Sequence, residues 1–124
     1  MASILLIDDV PAVLISLRIV LQGSGHHVTT VRDGDAGLNL LHAQKFDMVI
    51  TDIWMPGSSG TTVISEGRRL APQTRFMAIS GGDPNGPNDA AGLADSNFGA
   101  DCVLLKPFEK SDLLAAVNGL LRDH

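Results

Sequence analysis

Short apolar segments of this sequence end in polar residues whose side chains could take part in chemistry. These residues are Asp8, Asp9, Asp52, Ser80 and Lys106. Three carboxylates gathered at one place would repel each other, by about 4 kcal/mol for two unit charges roughly 4 Å apart at an effective dielectric constant of about 20. Such a cluster needs a cation or shifted pKa values. Hard carboxylate oxygens favour Mg²⁺, which binds through one or two carboxylates and often shares a phosphate.

The lysine and the serine supply the other groups that phosphate chemistry needs. Lys106 carries a compact positive charge that suits a phosphate or a paired carboxylate. Ser80 supplies a hydroxyl donor. A carboxylate, a metal ion, a lysine and a hydroxyl that converge on one point are the components of a phosphoryl-transfer site. Asp52 considered alone is equally compatible with a loop cap, because aspartate is common at turns.

Alternating strand and helix patterns provide a scaffold that could bring these residues together. Apolar runs predict strands over residues 3–7, 27–31, 48–50, 75–79 and 102–105. Helical spacing and helix-end signals predict helices over residues 11–22, 36–44, 61–70, 89–97 and 110–122, with Asp35 as a cap of the second helix. The alternation indicates an α/β protein with a doubly wound, five-stranded parallel sheet of flavodoxin-like order 2-1-3-4-5 and helices on both faces.

The predicted strand ends explain why the polar residues should meet. The carboxyl ends of parallel strands lie on one rim of the sheet, and ligands bind at that rim in open α/β sheets. The aspartate pair follows the first strand, Asp52 the third, Ser80 the fourth and Lys106 the fifth. We therefore predict one site, in a single domain that spans residues 1–124, since this length is too short for two domains.

Composition and charge exclude several classes of function. The chain has 124 residues and a net charge of −5. It has no run of Lys or Arg, which argues against binding to nucleic acids or to anionic membranes. Its single cysteine, Cys102, excludes an internal disulfide and fits a reducing compartment. We see neither a signal peptide nor an apolar stretch of membrane-spanning length, and expect a cytoplasmic protein.

Short motifs along the chain match one known family in order and spacing. They are I-D-D at 7–9, T-D-I-W-M-P at 51–56, glycine at 60, I-S at 79–80, G-A-D at 99–101 and K-P-F at 106–108. The sequence therefore resembles the receiver domain of bacterial two-component response regulators, of the stand-alone type. The resemblance covers nearly the whole chain. Each motif alone is weakly specific, whereas the set at this spacing is strongly specific.

The resemblance implies a role for each acidic residue of the predicted site. Asp52 would accept a phosphoryl group from a histidine kinase or a histidine phosphotransfer protein. Asp9 would bind Mg²⁺ directly, and Asp8 would act largely through metal-bound water. Asp52 and the backbone carbonyl of Trp54 would complete the protein ligands of the metal.

The resemblance also implies how the phosphoryl group would be held. Ser80 would hydrogen-bond a phosphoryl oxygen and move inward on activation, while Lys106 would pair with the phosphoryl group. The peptide bond between Lys106 and Pro107 would be cis, a conformation that is available at low cost only before proline.

One position departs from the family pattern. The family usually carries Tyr or Phe where this sequence has Val103, and that aromatic turns inward as part of the switch. Valine is too small and too stiff to make a comparable movement. We therefore expect the glycine-containing loop at residues 81–88 and the helix at 89–97 to carry the conformational change, because glycine permits large backbone excursions.

Three kinds of function are compatible with these residues. The first is a signalling switch, not an enzyme, that changes its binding to an unknown downstream protein and catalyses only its own phosphorylation and dephosphorylation. The second is a Mg²⁺-dependent phosphatase of the haloacid dehalogenase type. Such enzymes place their nucleophile in a D-x-D pattern after the first strand, and this chain has D-D-V there. The third is an adaptor that works without phosphate, which the intact set of site residues disfavours.

The first predicted helix could also serve binding. Residues 11–22 are apolar on nearly every side, which is typical of a helix with more than one covered face. In the family that the sequence resembles, this helix docks against the histidine-bearing helices of a kinase or phosphotransfer protein. Surplus apolar surface there predicts partner binding or a homodimer.

Overall fold

The fold is built on a five-stranded parallel sheet with helices on both faces. The computed structural model describes residues 2–55, 59–81 and 99–122. The strands are β1 Ser3–Ile7, β2 His27–Val31, β3 Met48–Asp52, β4 Arg75–Ser80 and β5 Cys102–Leu105. All neighbouring pairs are parallel, in the order β2-β1-β3-β4-β5. This arrangement confirms the predicted doubly wound topology.

Four helices within the described residues cover the two faces of the sheet. They are α1 Pro11–Gly23, α2 Gly34–Ala43, α3 Gly60–Leu70 and α4 Lys110–Arg122. Ile4 and Leu6 of β1 pack in one buried cluster with α1 and α4, whereas Leu5 and Ile7 pack in a second cluster with α2 and α3. Successive side chains of a strand point to opposite faces, so a strand covered on both sides needs an unbroken apolar run.

Two helices begin earlier than predicted. Helix α2 begins at Gly34, and its N-cap is Asp33, whose carboxylate accepts a hydrogen bond from the Ala36 backbone N–H at 2.8 Å. The prediction of Asp35 as the cap was wrong. An N-cap precedes the first helical residue, whereas Asp35 lies within the first turn of α2. Helix α3 begins at Gly60, one residue before the predicted start.

Part of the predicted architecture lies outside the described residues. This part comprises the predicted helix at residues 89–97 and all but the first residue of the predicted loop at 81–88. The expectation that this segment carries the conformational change therefore stays a prediction. Among the helices of the described residues, none has the length and apolar character needed to cross a bilayer.

Hydrogen bonds from the Arg68 side chain join helix α3 to the segment before β5. Arg68 donates hydrogen bonds to the carbonyl of Gly99 at 2.6 Å and to Oδ1 of Asp101 at 2.7 Å. The second carboxylate oxygen of Asp101 accepts from the backbone N–H of Phe76 at 2.8 Å. Burial alone would raise the pKa of Asp101, but these donors outweigh it and hold the pKa below its ordinary value.

Helix α1 has apolar residues on two faces. Leu14, Leu17 and Leu21 are buried against the sheet. Ile15 and Ile19, one turn apart, are 52% and 63% exposed. Packing within the described residues therefore leaves a strip of apolar surface on this helix, although its use by a partner or in a homodimer stays a prediction.

Candidate functional site

The register of the central strands places two aspartates side by side. In the parallel pairing of β1 with β3, Ile7 lies beside Thr51. The next residue along the chain is an aspartate in both cases, so Asp8, just after β1, and Asp52, the last residue of β3, emerge together at the carboxyl rim. Ser80 ends the neighbouring strand β4 and reaches the same rim. The apolar strands thus deliver polar side chains to one place, as the sequence predicts.

Three carboxylates meet at this rim. Asp8, Asp9 and Asp52 each offer one carboxylate oxygen, and these oxygens lie within 4.8 Å of one another. Asp8 is only 1% exposed and Asp52 is 7% exposed, whereas Asp9 is half-buried. Two nearly buried carboxyl groups therefore face each other, with the third at the opening of the site.

Burial and mutual repulsion change the acidity of this cluster. Burial, together with the negative charge of Asp8, raises the pKa of Asp52 to about 6. The positive charge of Lys106 and the Trp54 backbone N–H, 3.4 Å from Oδ1 of Asp52, oppose this rise. The pKa of Asp8 is raised as well, mainly by burial, although its Oδ1 accepts a hydrogen bond from the Val10 N–H at 2.9 Å. Ionisation of the Asp8 and Asp52 carboxyl groups is therefore unfavourable unless a cation offsets their charge.

The donor set fits a divalent cation of the Mg²⁺ class. Oδ2 of Asp8 is buried and has no hydrogen-bond partner in the described part of the chain. Asp8 belongs to the group of three carboxylates, and carboxylate oxygens are the hard ligands that Mg²⁺ prefers. A cation bound to this oxygen would satisfy it and offset the repulsion within the cluster.

Lys106 reaches the site from the end of β5. Its backbone N–H donates to the Ser80 carbonyl at 2.8 Å, which fixes the segment after β5 beside the end of β4. The bond from Lys106 to Pro107 is a cis peptide, as the resemblance implies. The positive charge of Lys106 opposes the burial-driven rise in the pKa values of both Asp8 and Asp52, so it acts on both buried acids.

Ser80 and Trp54 form a contact that sequence reasoning missed. Ser80 is fully buried, and its Oγ accepts a hydrogen bond from the indole Nε1 of Trp54 at 3.2 Å. The family resemblance implies a role for Trp54 only through its backbone carbonyl, and that role stays a prediction. Residues 54 and 80 lie on different segments, so no local spacing rule could have paired their side chains. The available signal was that the only tryptophan of the chain follows the acidic strand end by two residues.

Val103 stands where the family usually has an aromatic residue. It pairs with Ala78 of β4 and packs against the buried cluster under α2 and α3. Its side chain has no hydrogen-bonding group, so it cannot contact the Ser80 hydroxyl in the way that a tyrosine or the indole of Trp54 can.

Comparison with known proteins agrees with this geometry. The family profile of the response regulator receiver domain matches residues 4–118. A response regulator receiver domain protein from Clostridium thermocellum is 31% identical, with a TM-score of 0.84 over 99% of this chain and 96% of that one. Response regulator TrrA from Thermotoga maritima, solved in complex with Mg(2+)-BeF, is 29% identical, with a TM-score of 0.83 over 97% of this chain and 99% of that one.

The curated relatives that match this sequence are longer than this chain. The cell cycle response regulator CtrA of Brucella ovis is 29% identical over 123 residues, which cover 96% of this chain and 50% of the relative. This chain thus spans about half the length of the curated relatives that it matches. These matches give no support to the phosphatase alternative. The profile match over most of the sequence and the β2-β1-β3-β4-β5 sheet together place this chain in the response regulator receiver domain family of two-component signalling systems.

Proposed function

We propose that this chain accepts a phosphoryl group on Asp52 from a phosphohistidine of a histidine kinase or histidine phosphotransfer protein. The reaction depends on Mg²⁺, and the phosphorylated chain changes its binding to a downstream protein. The observation that carries this proposal is the buried carboxylate of Asp52 beside two further carboxylates. The TrrA structure, which holds Mg(2+)-BeF, supports the same chemistry in a similar fold.

The proposed reaction moves one phosphoryl group between two side chains. A carboxylate oxygen of Asp52 attacks the phosphorus, a P–O bond forms, and the P–N bond to the donor histidine breaks with the electron pair returning to the imidazole. The attacking carboxylate must be ionised, and with its pKa near 6 Asp52 is mostly ionised at neutral pH. Bound Mg²⁺ would neutralise charge on the transferring group.

The surrounding side chains stabilise the charge of the phosphoryl group. Asp8 and Asp9 would hold the cation, and Lys106 supplies a positive charge close enough to act on Asp52. The Ser80 hydroxyl, at the end of the strand next to that of Asp52, would donate a hydrogen bond to a phosphoryl oxygen. These groups act by position and charge, which is the main contribution of protein residues in phosphoryl transfer.

Titration with Mg²⁺ is expected to change the fluorescence of Trp54, the only tryptophan. Its backbone N–H faces Asp52 and its indole contacts Ser80, so a cation at the carboxylates alters its surroundings. Asp9→Ala should abolish the change. Asp47→Asn is the matched control, because Asp47 accepts a hydrogen bond from the Ser3 N–H at the amino ends of the strands, away from the site, and it should respond like the wild type. An unchanged signal at millimolar Mg²⁺ and low salt would contradict the metal site.

Acetyl phosphate and Mg²⁺ are expected to add one phosphoryl group to the protein, measured by intact mass. The adduct should be stable in acid and labile in base, as an acyl phosphate is. Asp52→Asn should give no adduct, whereas Asp47→Asn should react like the wild type. The proposal fails if the wild type gives no adduct, or if peptide mapping places the phosphate on a serine or histidine.

A further inference from the structure

The hydrogen bond between Trp54 and Ser80 has a fixed direction. An indole N–H can only donate, so Oγ of Ser80 must be the acceptor in the 3.2 Å contact. Because Ser80 is fully buried, its hydroxyl adjusts through neighbouring protein groups and has little access to bulk water. The orientation of this hydroxyl is therefore coupled to the indole of Trp54.

Trp54 also contacts the phosphorylation site through its backbone. Its N–H points to Oδ1 of Asp52 at 3.4 Å, while its ring packs against the buried cluster under α2 and α3. The residue as a whole is half-buried, so it lies near the surface beside the site. One residue thus links the acceptor aspartate, the buried hydroxyl and the protein surface.

We propose that Trp54 is a positioning residue for the Ser80 hydroxyl, and that its indole responds to phosphorylation through this hydrogen bond. A phosphoryl group on Asp52 adds about −1.5 to −2 charge beside Ser80, as other phosphorylated residues do. The hydroxyl then donates its hydrogen to a phosphoryl oxygen, and Oγ moves toward that charge and away from its resting position beside the indole. The indole then either follows the hydroxyl or loses its acceptor, and in both cases its environment changes.

This inference rests on the proposed phosphorylation of Asp52, and it assigns to Trp54 a role that Val103 cannot fill. Val103 has no group that bonds Ser80, whereas Trp54 bonds it directly. Trp54, which is half-buried, would carry the change from the buried hydroxyl toward the surface.

The test uses the one indole N–H resonance of the intact chain, followed in ¹H–¹⁵N spectra. Without ligands, Ser80→Ala should shift the indole proton upfield and speed its exchange with water, because the acceptor is lost. Ser80→Thr restores a hydroxyl and should return both values toward those of the wild type. Thr51→Val is the matched control, since the buried Thr51 hydroxyl bonds the Asp52 carbonyl instead of the indole. An indole resonance that is identical in the wild type and Ser80→Ala would overturn the inference.

A second measurement tests the response to the phosphoryl group. Mg²⁺ with beryllofluoride should shift the indole resonance in the wild type and in Ser80→Thr, beyond the shift from Mg²⁺ alone. In Ser80→Ala, at a beryllofluoride concentration raised until ¹⁹F NMR shows the site to be saturated, this additional shift should be lost. A full additional shift in Ser80→Ala would overturn the inference. If no fluoride binds to the wild type, the proposed function is at fault, and the comparison without ligands still tests the hydrogen bond.

Discussion

Replacing Asp52 with asparagine is expected to stabilise the fold by about 3 kcal/mol near pH 7.5 in the absence of divalent cations. Burial and the charge of Asp8 raise the pKa of Asp52 from 3.8 to about 6, and each pKa unit corresponds to about 1.4 kcal/mol. The folded state therefore binds the Asp52 proton more tightly than the unfolded state does. The wild type loses stability as the pH rises from about 4 to about 6, and the neutral asparagine does not.

Urea denaturation in EDTA measures this difference. The gain in unfolding free energy should shrink to less than about 1 kcal/mol near pH 4, where Asp52 is protonated in the folded state. Saturating Mg²⁺ should also narrow the gap at pH 7.5, because a cation that binds the folded wild type stabilises it. If the asparagine variant is less stable than the wild type at pH 7.5, interactions with neighbouring groups stabilise the ionised Asp52 carboxylate by more than its burial costs.

Asp101→Asn is the matched control. It makes the same chemical change, but the expected change in unfolding free energy has the opposite sign. The donors from Phe76 and Arg68 outweigh the effect of burial and hold the pKa of Asp101 below its ordinary value. Its stabilising contribution is present above the unfolded pKa and is lost as the pH falls through the lowered folded pKa. We expect a loss of about 1 kcal/mol at pH 7.5, since the Arg68 side chain is 37% exposed and the ion pair is partly screened.

Gly60→Ala is expected to destabilise the fold by about 3 kcal/mol and to slow phosphorylation of Asp52. A β-carbon at Gly60 would lie 2.7 Å from the Cα of Ile53 and closer still to the carbonyl oxygen of Asp52. Overpacking costs about 1–3 kcal/mol, and backbone atoms cannot turn aside as a flexible side-chain tip can. Relief of the clash would displace the acceptor, and a shift of about 1 Å in a reacting group can cost roughly 100-fold in rate.

Two measurements separate these effects from a general intolerance of alanine. Gly119→Ala in helix α4 adds a β-carbon with nothing within 4 Å, and it should stabilise the fold by about 0.5–1 kcal/mol. Its rate of phosphorylation by acetyl phosphate should match that of the wild type. If Gly60→Ala shows both wild-type stability and a wild-type rate, the close approach of α3 to the end of β3 is not a constraint on the site.

The sheet and the acidic rim could be predicted because they depend on local patterns. Apolar runs on buried parallel strands are long and continuous, and each run here ends at a polar residue that the topology then places on one rim. The ends of these runs alone indicate that Asp8, Asp52 and Ser80 share one site.

The Trp54–Ser80 contact and the cap of α2 could not be predicted with the same rules. The first depends on the rotamers of two side chains on separate segments, and on how the loop after β3 folds over the end of β4. The second required a choice between Asp33 and Asp35, both of which are good capping residues. Local propensity does not distinguish such alternatives, and the backbone path of the completed fold does.

The two faces of helix α1 have different consequences for how this chain can diverge. Leu14, Leu17 and Leu21 are held by the core, so most changes there would cost stability. Ile15 and Ile19 project into solvent, where substitutions usually change stability little. Gene duplicates could therefore exchange the outer residues and acquire new binding preferences while they inherit the acidic rim unchanged. Because changes on the outer face leave the inner face intact, separate signalling pathways could evolve from a single ancestral chain without cross-talk between them.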